Sequence, residues 1–155
     1  MTKRAIDEFD RELLELIQED ATRTLDELGA AVGLSGPAVQ RRLKHHRETG
    51  LIQRTVAQVD PIALGVPITV LTLVTLERDS GRKANALRKK LADHPNVQLC
   101  YEIAGTFDLM AIIAVPNMEV YRSITEALFN ADDNVRRFAS HVALNTIKAT
   151  LRVPL

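Results

Sequence analysis

The spacing of apolar residues changes from a helical to a strand period at one place in this chain, between residues 60 and 67. Before that point apolar side chains recur every three to four residues, as at Val39 and Leu43. After it they recur at every second residue, as at Ile68 and Val70 and again at Val74 and Leu76. Amphipathic helices show the first spacing and half-buried strands the second. The chain is therefore predicted to be an α+β protein, with a helical N-terminal unit followed by a unit built on a sheet.

Two capped helices open the N-terminal unit. The first is predicted over residues 6–20, with acidic residues in its first turns, where the helix dipole favours them. The second begins at Thr24, which can form a capping box with Glu27, and it ends at Gly33.

A short turn at Leu34 leads into a third helix, which starts at Ser35 or Gly36 and stops at Gly50. Two helices joined by so short a turn indicate a helix-turn-helix. A strand is expected at residues 51–60, in the position of a wing or of a dimer linker.

Positive charge is concentrated on the third helix, although the chain as a whole has no net charge. Between Gly36 and Val56 there are five arginine or lysine residues and one acidic residue, whereas residues 1–35 hold four basic and nine acidic residues. A local excess of this kind is typical of a surface that binds a polyanion. A small helical bundle with a solvated basic face would show a similar pattern, so the charge alone does not decide between the two.

The candidate DNA-binding residues follow from the geometry of the third helix. Val39 and Leu43 form its buried face, which leaves the polar side chains to point toward a major groove. Glutamine can pair with adenine, and arginine or lysine with guanine, whereas other basic side chains suit phosphates. The predicted base contacts are Gln40, Arg41 and Lys44, followed by Arg42, His45 and Arg54.

The second unit is predicted to have the order βαββαβ, which is that of a ferredoxin-like sandwich with an antiparallel sheet. Apolar alternate rows on both faces of its first and third strands indicate that another subunit covers the sheet face opposite the helices. The expected elements are strands over 68–77, 97–104, 107–115 and 135–150, and helices over 82–93 and 117–130.

At this point the chain resembles the Lrp/AsnC, or feast/famine, family of transcriptional regulators over nearly its full length. The resemblance rests on FDRELLELIQEDATRTLDELGAAVGLS from Phe9, AVQRRLKHHRETGLI from Ala38, VDPIALG from Val59, CYEIAGTFDLMAIIAV from Cys100 and VRRFASHVALNTIK from Val135. It implies a DNA-binding domain over residues 1–52, a linker over 53–66, and a domain over 67–155 that dimerises, often forms octamers, and binds amino acids.

The resemblance also places a ligand near the turn of the predicted hairpin, at Gly105, Thr106, Phe107 and Asp108. Backbone N–H groups of a tight turn can hold a carboxylate, and an aspartate can hold an ammonium group. Glycine and aspartate are equally common as residues that only build a turn. Both interpretations of this loop, effector site and plain turn, remain open at the level of sequence.

One departure from the family pattern concerns His46, where an apolar residue usually continues the stripe of Val39 and Leu43. We expect a partly exposed histidine at the end of the helix. A sharper hypothesis is that protonation of His46 near pH 6–7 loosens the recognition helix.

Enzymatic chemistry and metal binding are not expected. The four histidines form no HxxxH or HExxH pattern, the single cysteine, Cys100, lies on a predicted strand, and no GxSxG, P-loop or GxGxxG motif occurs. Siroheme decarboxylases resemble the same family, but basic and aromatic residues, including tryptophan, are expected near their hairpin, and this chain has no tryptophan.

No stretch is long and apolar enough for a membrane helix, and the N-terminus lacks the apolar segment of a signal peptide. We therefore expect a cytoplasmic, nucleoid-associated regulator that needs no cofactor and binds duplex DNA, itself and an amino acid. The alternative within the same fold is an architectural DNA-binding protein without an effector.

Overall fold

The computed structural model describes residues 5–155 and divides into two compact units. One unit comprises the chain up to Gln58 together with Lys148–Leu155, and the other comprises Val59–Ile147. The change of unit falls inside the predicted linker at 53–66, and the C-terminal segment packs with the N-terminal helices. The first four residues of the predicted DNA-binding domain lie outside the described residues.

Three helices form the N-terminal unit, as the apolar spacing predicts: α1 at Glu8–Glu19, α2 at Leu25–Val32 and α3 at Gly36–Glu48. The predicted capping box of α2 is present, because Glu27 N–H donates to Thr24 Oγ1 and Thr24 N–H donates to Glu27 Oε2. A second capping box at the start of α1 joins Asp7 and Asp10.

A small core holds these helices together. Leu13 of α1 and Val39 of α3 are fully buried, and Leu28 and Leu43 nearly so. Burial of such a side chain contributes roughly 1.5–3 kcal/mol, so these few residues account for much of the stability of a unit of this size. The helix-turn-helix arrangement predicted from the sequence is confirmed.

The C-terminal segment contacts the same unit through α1. The backbone N–H of Val153 donates to Gln18 Oε1 at 2.7 Å, and Gln18 Nε2 donates to the Val153 carbonyl at 3.2 Å. Arg152 adds an ion pair to Glu15 at 3.4 Å. One glutamine side chain therefore satisfies both backbone hydrogen-bonding groups of a single residue in this segment.

The second unit is the predicted βαββαβ sandwich. Its strands are β1 at Ile68–Leu76, β2 at Val97–Glu102, β3 at Leu109–Val115 and β4 at Val135–Val142. All pairings are antiparallel, in the spatial order β2-β3-β1-β4, with Leu71 opposite both Ile112 and His141. The sequence-based prediction of this topology is confirmed.

Two helical segments cover one face of the sheet. The first is α4 at Arg82–Asp93, with the bounds that the sequence predicts. The second begins as α5 at Met118–Thr125 and continues as a π-helix at Glu126–Asn130, so the single α-helix predicted there changes its hydrogen-bond pattern partway. Their side chains enclose a core that includes the buried Leu87 and Phe129.

Two predicted strand segments do not form. Residues 51–60 contain no strand, and β4 ends at Val142 instead of continuing to residue 150. A strand is stable only where a neighbour pairs with its backbone groups. Within residues 5–155 no strand pairs with residues 51–60, and the pairing of β4 ends where its partner β1 begins, at Ile68.

Candidate nucleic-acid interface and hairpin loop

The third helix presents two chemically different faces, because its residues alternate between core and solvent with a helical period. Val39 and Leu43 point into the core with at most 3 % of their surface exposed. Gln40, Arg41 and Lys44 are exposed on the other side, and His45 is partly exposed. Residues four apart on a helix are neighbours, so Gln40 lies beside Lys44 and Arg41 beside His45.

These four side chains form the exposed basic face of α3, defined as Gln40, Arg41, Lys44 and His45. Their long polar groups remain available to a ligand, since within residues 5–155 their one ion pair joins Lys44 to Glu48 at 3.8 Å, between two exposed side chains. Such a pair contributes little to stability and is easily exchanged for a phosphate. Arg54 is also exposed and follows α3 in the irregular segment after Gly50.

Arg42 differs from the other predicted DNA-binding residues. Its guanidinium points back toward α1, where the same nitrogen lies 2.8 Å from Asp7 Oδ2 and 2.7 Å from Asp10 Oδ1, and only 13 % of the side chain is exposed. The hydrogen bonds that Arg42 donates to both carboxylates, the one to Asp7 first, raise the pKa of Arg42. The structure therefore brings Arg42 to the acids of α1 and not to the exposed basic face.

His46 lies beside the same acids. Its side chain is only 7 % exposed, which contradicts the expectation of a partly exposed histidine. Nε2 approaches Asp10 Oδ1 to 3.0 Å, which is ion-pair distance, although the ring is not aligned for a hydrogen bond. A protonated ring would therefore face the Asp10 carboxylate. Because opposite charges attract, this neighbour argues against the hypothesis that protonation of His46 loosens α3.

The residue of this cluster that sequence reasoning missed is Asp10. It is 1 % exposed, so burial acts to raise its pKa, but hydrogen bonds from Arg42 and the Asp7 backbone, together with the close approach of His46, outweigh burial and hold the pKa below its ordinary value. A signal was present, because a histidine in a buried helical stripe requires a polar partner. The sequence could not say which of the nine acids before Ser35 supplies it.

A cavity of about 220 Å³ joins this buried cluster to the exposed basic face. Its lining consists of Asp10, Arg41, Arg42, His45 and His46. The rings of His45 and His46 lie 5.8 Å apart. The exposed basic face and the buried Asp10 carboxylate thus border the same cavity.

The hairpin loop predicted to bind an effector is a turn between β2 and β3. Gly105 has φ +148°, in the region that favours glycine, and Thr106 is exposed beside it. Phe107 lies under the guanidinium of Arg137, with 5.6 Å from Cζ to the ring centroid. The four predicted residues are adjacent in the chain but do not line either of the described cavities.

Asp108 anchors the β3 side of this hairpin to β1. Leu76 N–H donates to Asp108 Oδ2 at 2.7 Å, and Asp108 N–H donates to the Val74 carbonyl at 2.9 Å. A carboxylate oxygen that accepts a backbone N–H has a structural role whether or not the other oxygen binds a ligand. The geometry thus supports the turn interpretation directly and leaves the effector interpretation as a prediction.

Other chemistry has little support among residues 5–155. No cluster of three or more histidine, cysteine or acidic side chains suited to a metal ion occurs there, and none of the helices in that range has the length and apolar character to cross a bilayer. Burial, followed by the charge of Glu102, raises the pKa of the Cys100 thiol, which makes a thiolate nucleophile at that position unfavourable.

Comparison with known proteins assigns both units. The model of the AsnC-type helix-turn-helix domain matches residues 6–45, and that of the Lrp/AsnC ligand binding domain matches residues 69–153. The uncharacterised HTH-type transcriptional regulator y4tD of Sinorhizobium fredii is 33% identical over 150 residues, which cover 97% of this chain and 89% of the relative.

Two solved structures show the same fold over nearly all of the chain. The AsnC family transcriptional regulator from Agrobacterium tumefaciens is 28% identical with a TM-score of 0.88, and the alignment covers 96% of both chains. The feast or famine regulatory protein from M. tuberculosis, complexed with L-methionine, is 26% identical with a TM-score of 0.86 over 96% of this chain and 99% of that one.

Proposed function

Since the chain belongs to the Lrp/AsnC family of DNA-binding transcriptional regulators, we propose that it recognises a specific duplex sequence through α3, as an oligomer, with an amino acid as effector. The observation that carries the proposal is the exposed basic face of α3. That face lies opposite a fully buried one, so α3 can enter a major groove without giving up its core contacts.

Base recognition is assigned to Gln40, Arg41 and Lys44. Their amide, guanidinium and ammonium groups match the hydrogen-bonding edges of adenine and guanine. His45 and Arg54 are assigned to phosphates. Arg42 was predicted with them, but its two ion pairs to α1 make positioning of α3 its first role, and a phosphate contact by Arg42 stays a prediction.

Self-association is supported by the sheet face that the helices leave uncovered. On that face Leu71, Leu73, Met110 and Ile112 are each only partly buried in the single chain. The linker and tail add exposed apolar side chains, among them Leu64 at 65% and Ile147 at 96%. Apolar surface of this extent marks an interface, and a second copy of the chain is the occupant we assign to it. The octamer that the family resemblance implies is a further assembly of such dimers.

The effector is assigned to the hairpin loop at residues 105–108. The L-methionine complex of the M. tuberculosis relative supports an amino acid as the ligand class. A ligand acts on DNA binding only if it has different affinities for two assemblies, so the effector is expected to change the oligomer equilibrium. No catalytic step and no cofactor are part of this function, and its place is the cytoplasm, on the nucleoid.

The first test is a fluorescence-anisotropy titration of the full chain on DNA from its own upstream region and on scrambled DNA, at several salt concentrations. A preference of ~10³-fold or more is expected for a specific regulator. Equal and steeply salt-dependent binding to both duplexes would instead support the architectural alternative. Absence of binding to any duplex would contradict both.

Arg41→Ala tests the assignment of the interface. If Arg41 reads a base, the substitution weakens specific binding by ~1–3 kcal/mol. Arg136→Ala is the matched control, because Arg136 is an exposed arginine on β4 in the other unit. Equal losses in the two variants would show that only the net charge matters.

A further inference from the structure

His46 is a buried imidazole that borders the same cavity as the surface assigned to DNA. It is 6 % exposed, its Nε2 has no aligned hydrogen-bond partner among the described residues, and Asp10 Oδ1 lies 3.0 Å away. Arg42 of α3 shares this partner, because its Nη1 lies 2.7 Å from the same Asp10 Oδ1, and it also contacts Asp7 at the start of α1. The ring of the neighbouring residue His45 lies 5.8 Å from that of His46. A buried polar atom that lacks an aligned partner is unfavourable, and protonation changes what it can bind.

A bound duplex would act on this ring through charge. Phosphates add a negative potential at the exposed basic face, and the cavity lined by Arg41, His45 and Asp10 connects that face to His46. Salt screens exposed charges over about 10 Å, but screens partly buried groups much less. A negative potential favours the imidazolium over the neutral imidazole, and Asp10 already offers that imidazolium a carboxylate.

We propose that His46 takes up a proton when the protein binds DNA, so that DNA binding strengthens as the pH falls toward 6. The imidazolium then joins Arg42 as a second charged anchor between α3 and the Asp10 carboxylate of α1. Asp10 and His46 are positioning residues in this scheme, since neither reaches a base. The inference rests on the proposed function only in requiring that α3 faces the duplex.

Isothermal titration calorimetry measures the number of protons that the protein takes up when it binds DNA. The full chain is titrated with a duplex at pH 7 in two buffers of different ionisation enthalpy, and the difference in heat gives the proton uptake per complex. The Kd is also measured at pH 6, 7 and 8. We expect net proton uptake and a Kd that decreases toward pH 6, with about tenfold per pH unit as the ceiling for one linked proton.

Three variants locate the proton. His46→Leu introduces an apolar side chain that continues the buried stripe of Val39 and Leu43. It should abolish most of the proton uptake and flatten the dependence of the Kd on pH. Asp10→Asn keeps the imidazole but removes its carboxylate, and it should reduce the uptake. His45→Gln removes the histidine assigned to phosphates, so it should weaken DNA binding, but the complexes that form should still take up the proton. Thermal melting first establishes that each variant is folded.

The outcomes separate this inference from the proposed function. Proton uptake that is the same in His46→Leu as in the parent overturns the inference while leaving DNA binding intact. Uptake that disappears in His45→Gln overturns it as well, since the proton then belongs to the surface histidine. Absence of DNA binding by the parent overturns both the inference and the proposed function.

Discussion

At the residue scale, the Asp10 carboxylate is the group of α1 that contacts two side chains of α3. Asp10 is almost fully buried, and its carboxylate contacts both the Arg42 guanidinium and the His46 imidazole. A buried charge is tolerated only if hydrogen bonds and opposite charges replace the lost water. The polar contact between α1 and α3 therefore depends on Asp10 more than on any exposed ion pair of this unit.

Asp10→Asn should reduce the free energy of unfolding by about 2 kcal/mol at pH 7, because the amide replaces a charged acceptor of charge-assisted hydrogen bonds. The pKa of Asp10 is lowered in the folded state, so its stabilisation is present above the ordinary aspartate pKa and is lost as the pH falls through the lower folded value. Urea unfolding at pH 7, 5 and 3 should show a difference in the free energy of unfolding between the parent and Asp10→Asn that shrinks only at the lowest pH. Glu12→Gln, an exposed acid on α1, is the control and should change little.

Asp108 allows its two possible roles to be separated. Asp108→Asn keeps an oxygen that can accept the Leu76 N–H but removes the charge that an ammonium group needs. If the loop binds an amino acid, this variant should keep its melting temperature and lose the response of DNA binding to the ligand. Asp108→Ala should lower the melting temperature and also lose the response of DNA binding to the ligand. An amino-acid response that survives Asp108→Asn would favour the turn interpretation.

At the scale of elements, the turn between α2 and α3 depends on close backbone approach. Leu34 N–H donates to the Gly29 carbonyl at 2.9 Å, and a Cβ on Gly29 would lie 2.4 Å from the Leu34 carbonyl oxygen. Since the obstacle is backbone, no side-chain rotation relieves it. The sequence marks Gly33 as the end of α2 but gives no sign that Gly29, inside the helix, is required for the same turn.

Gly29→Ala should therefore destabilise the helix-turn-helix by roughly 1–3 kcal/mol, although alanine is the better helix former. The measurement is urea unfolding followed by circular dichroism. Ala30→Ser, at the next position of α2, which is exposed, is the control and should lower the free energy of unfolding by less. A Gly29→Ala variant as stable as the parent would mean that the turn can open without cost.

The elements also show where local sequence stops being informative. Helix bounds and the capping box at Thr24 were predictable because hydrogen bonds within a helix are local. The strand predicted at 51–60 is absent and β4 is shorter than predicted, because a strand depends on a neighbour that the sequence of the segment does not describe. The alternating apolar residues of these segments are instead exposed in the single chain.

At the scale of the whole molecule, the uncovered face of the sheet determines the assembly we expect. Leu73 lies in the middle of that face, opposite Met110 on one side and Ala139 on the other. Its position on a central strand means that a partner covering the sheet must cover Leu73. The helical face cannot serve the same purpose, since its apolar side chains are already buried in the core.

Leu73→Lys should shift the protein to smaller species, since a lysine at the centre of an apolar interface would be buried without a partner. Analytical ultracentrifugation at several concentrations measures the shift. Ser123→Lys adds the same charge on the exposed side of α5 and is the control. An unchanged mass in Leu73→Lys would place the interface elsewhere.

The sequence by itself determined the class of each unit, the order of the helices and strands, the helix-turn-helix and the exposed residues of α3. These depend on hydrophobic period, caps and turns, which act over a few residues. Only the tertiary structure decided that Arg42 and His46 turn toward Asp10, that Asp108 anchors the hairpin to β1, and that Gln18 binds the C-terminal segment. Each of these contacts joins residues more than thirty positions apart. Which polar side chains pair over such distances depends on their direction and burial in the folded chain, and local sequence does not encode either.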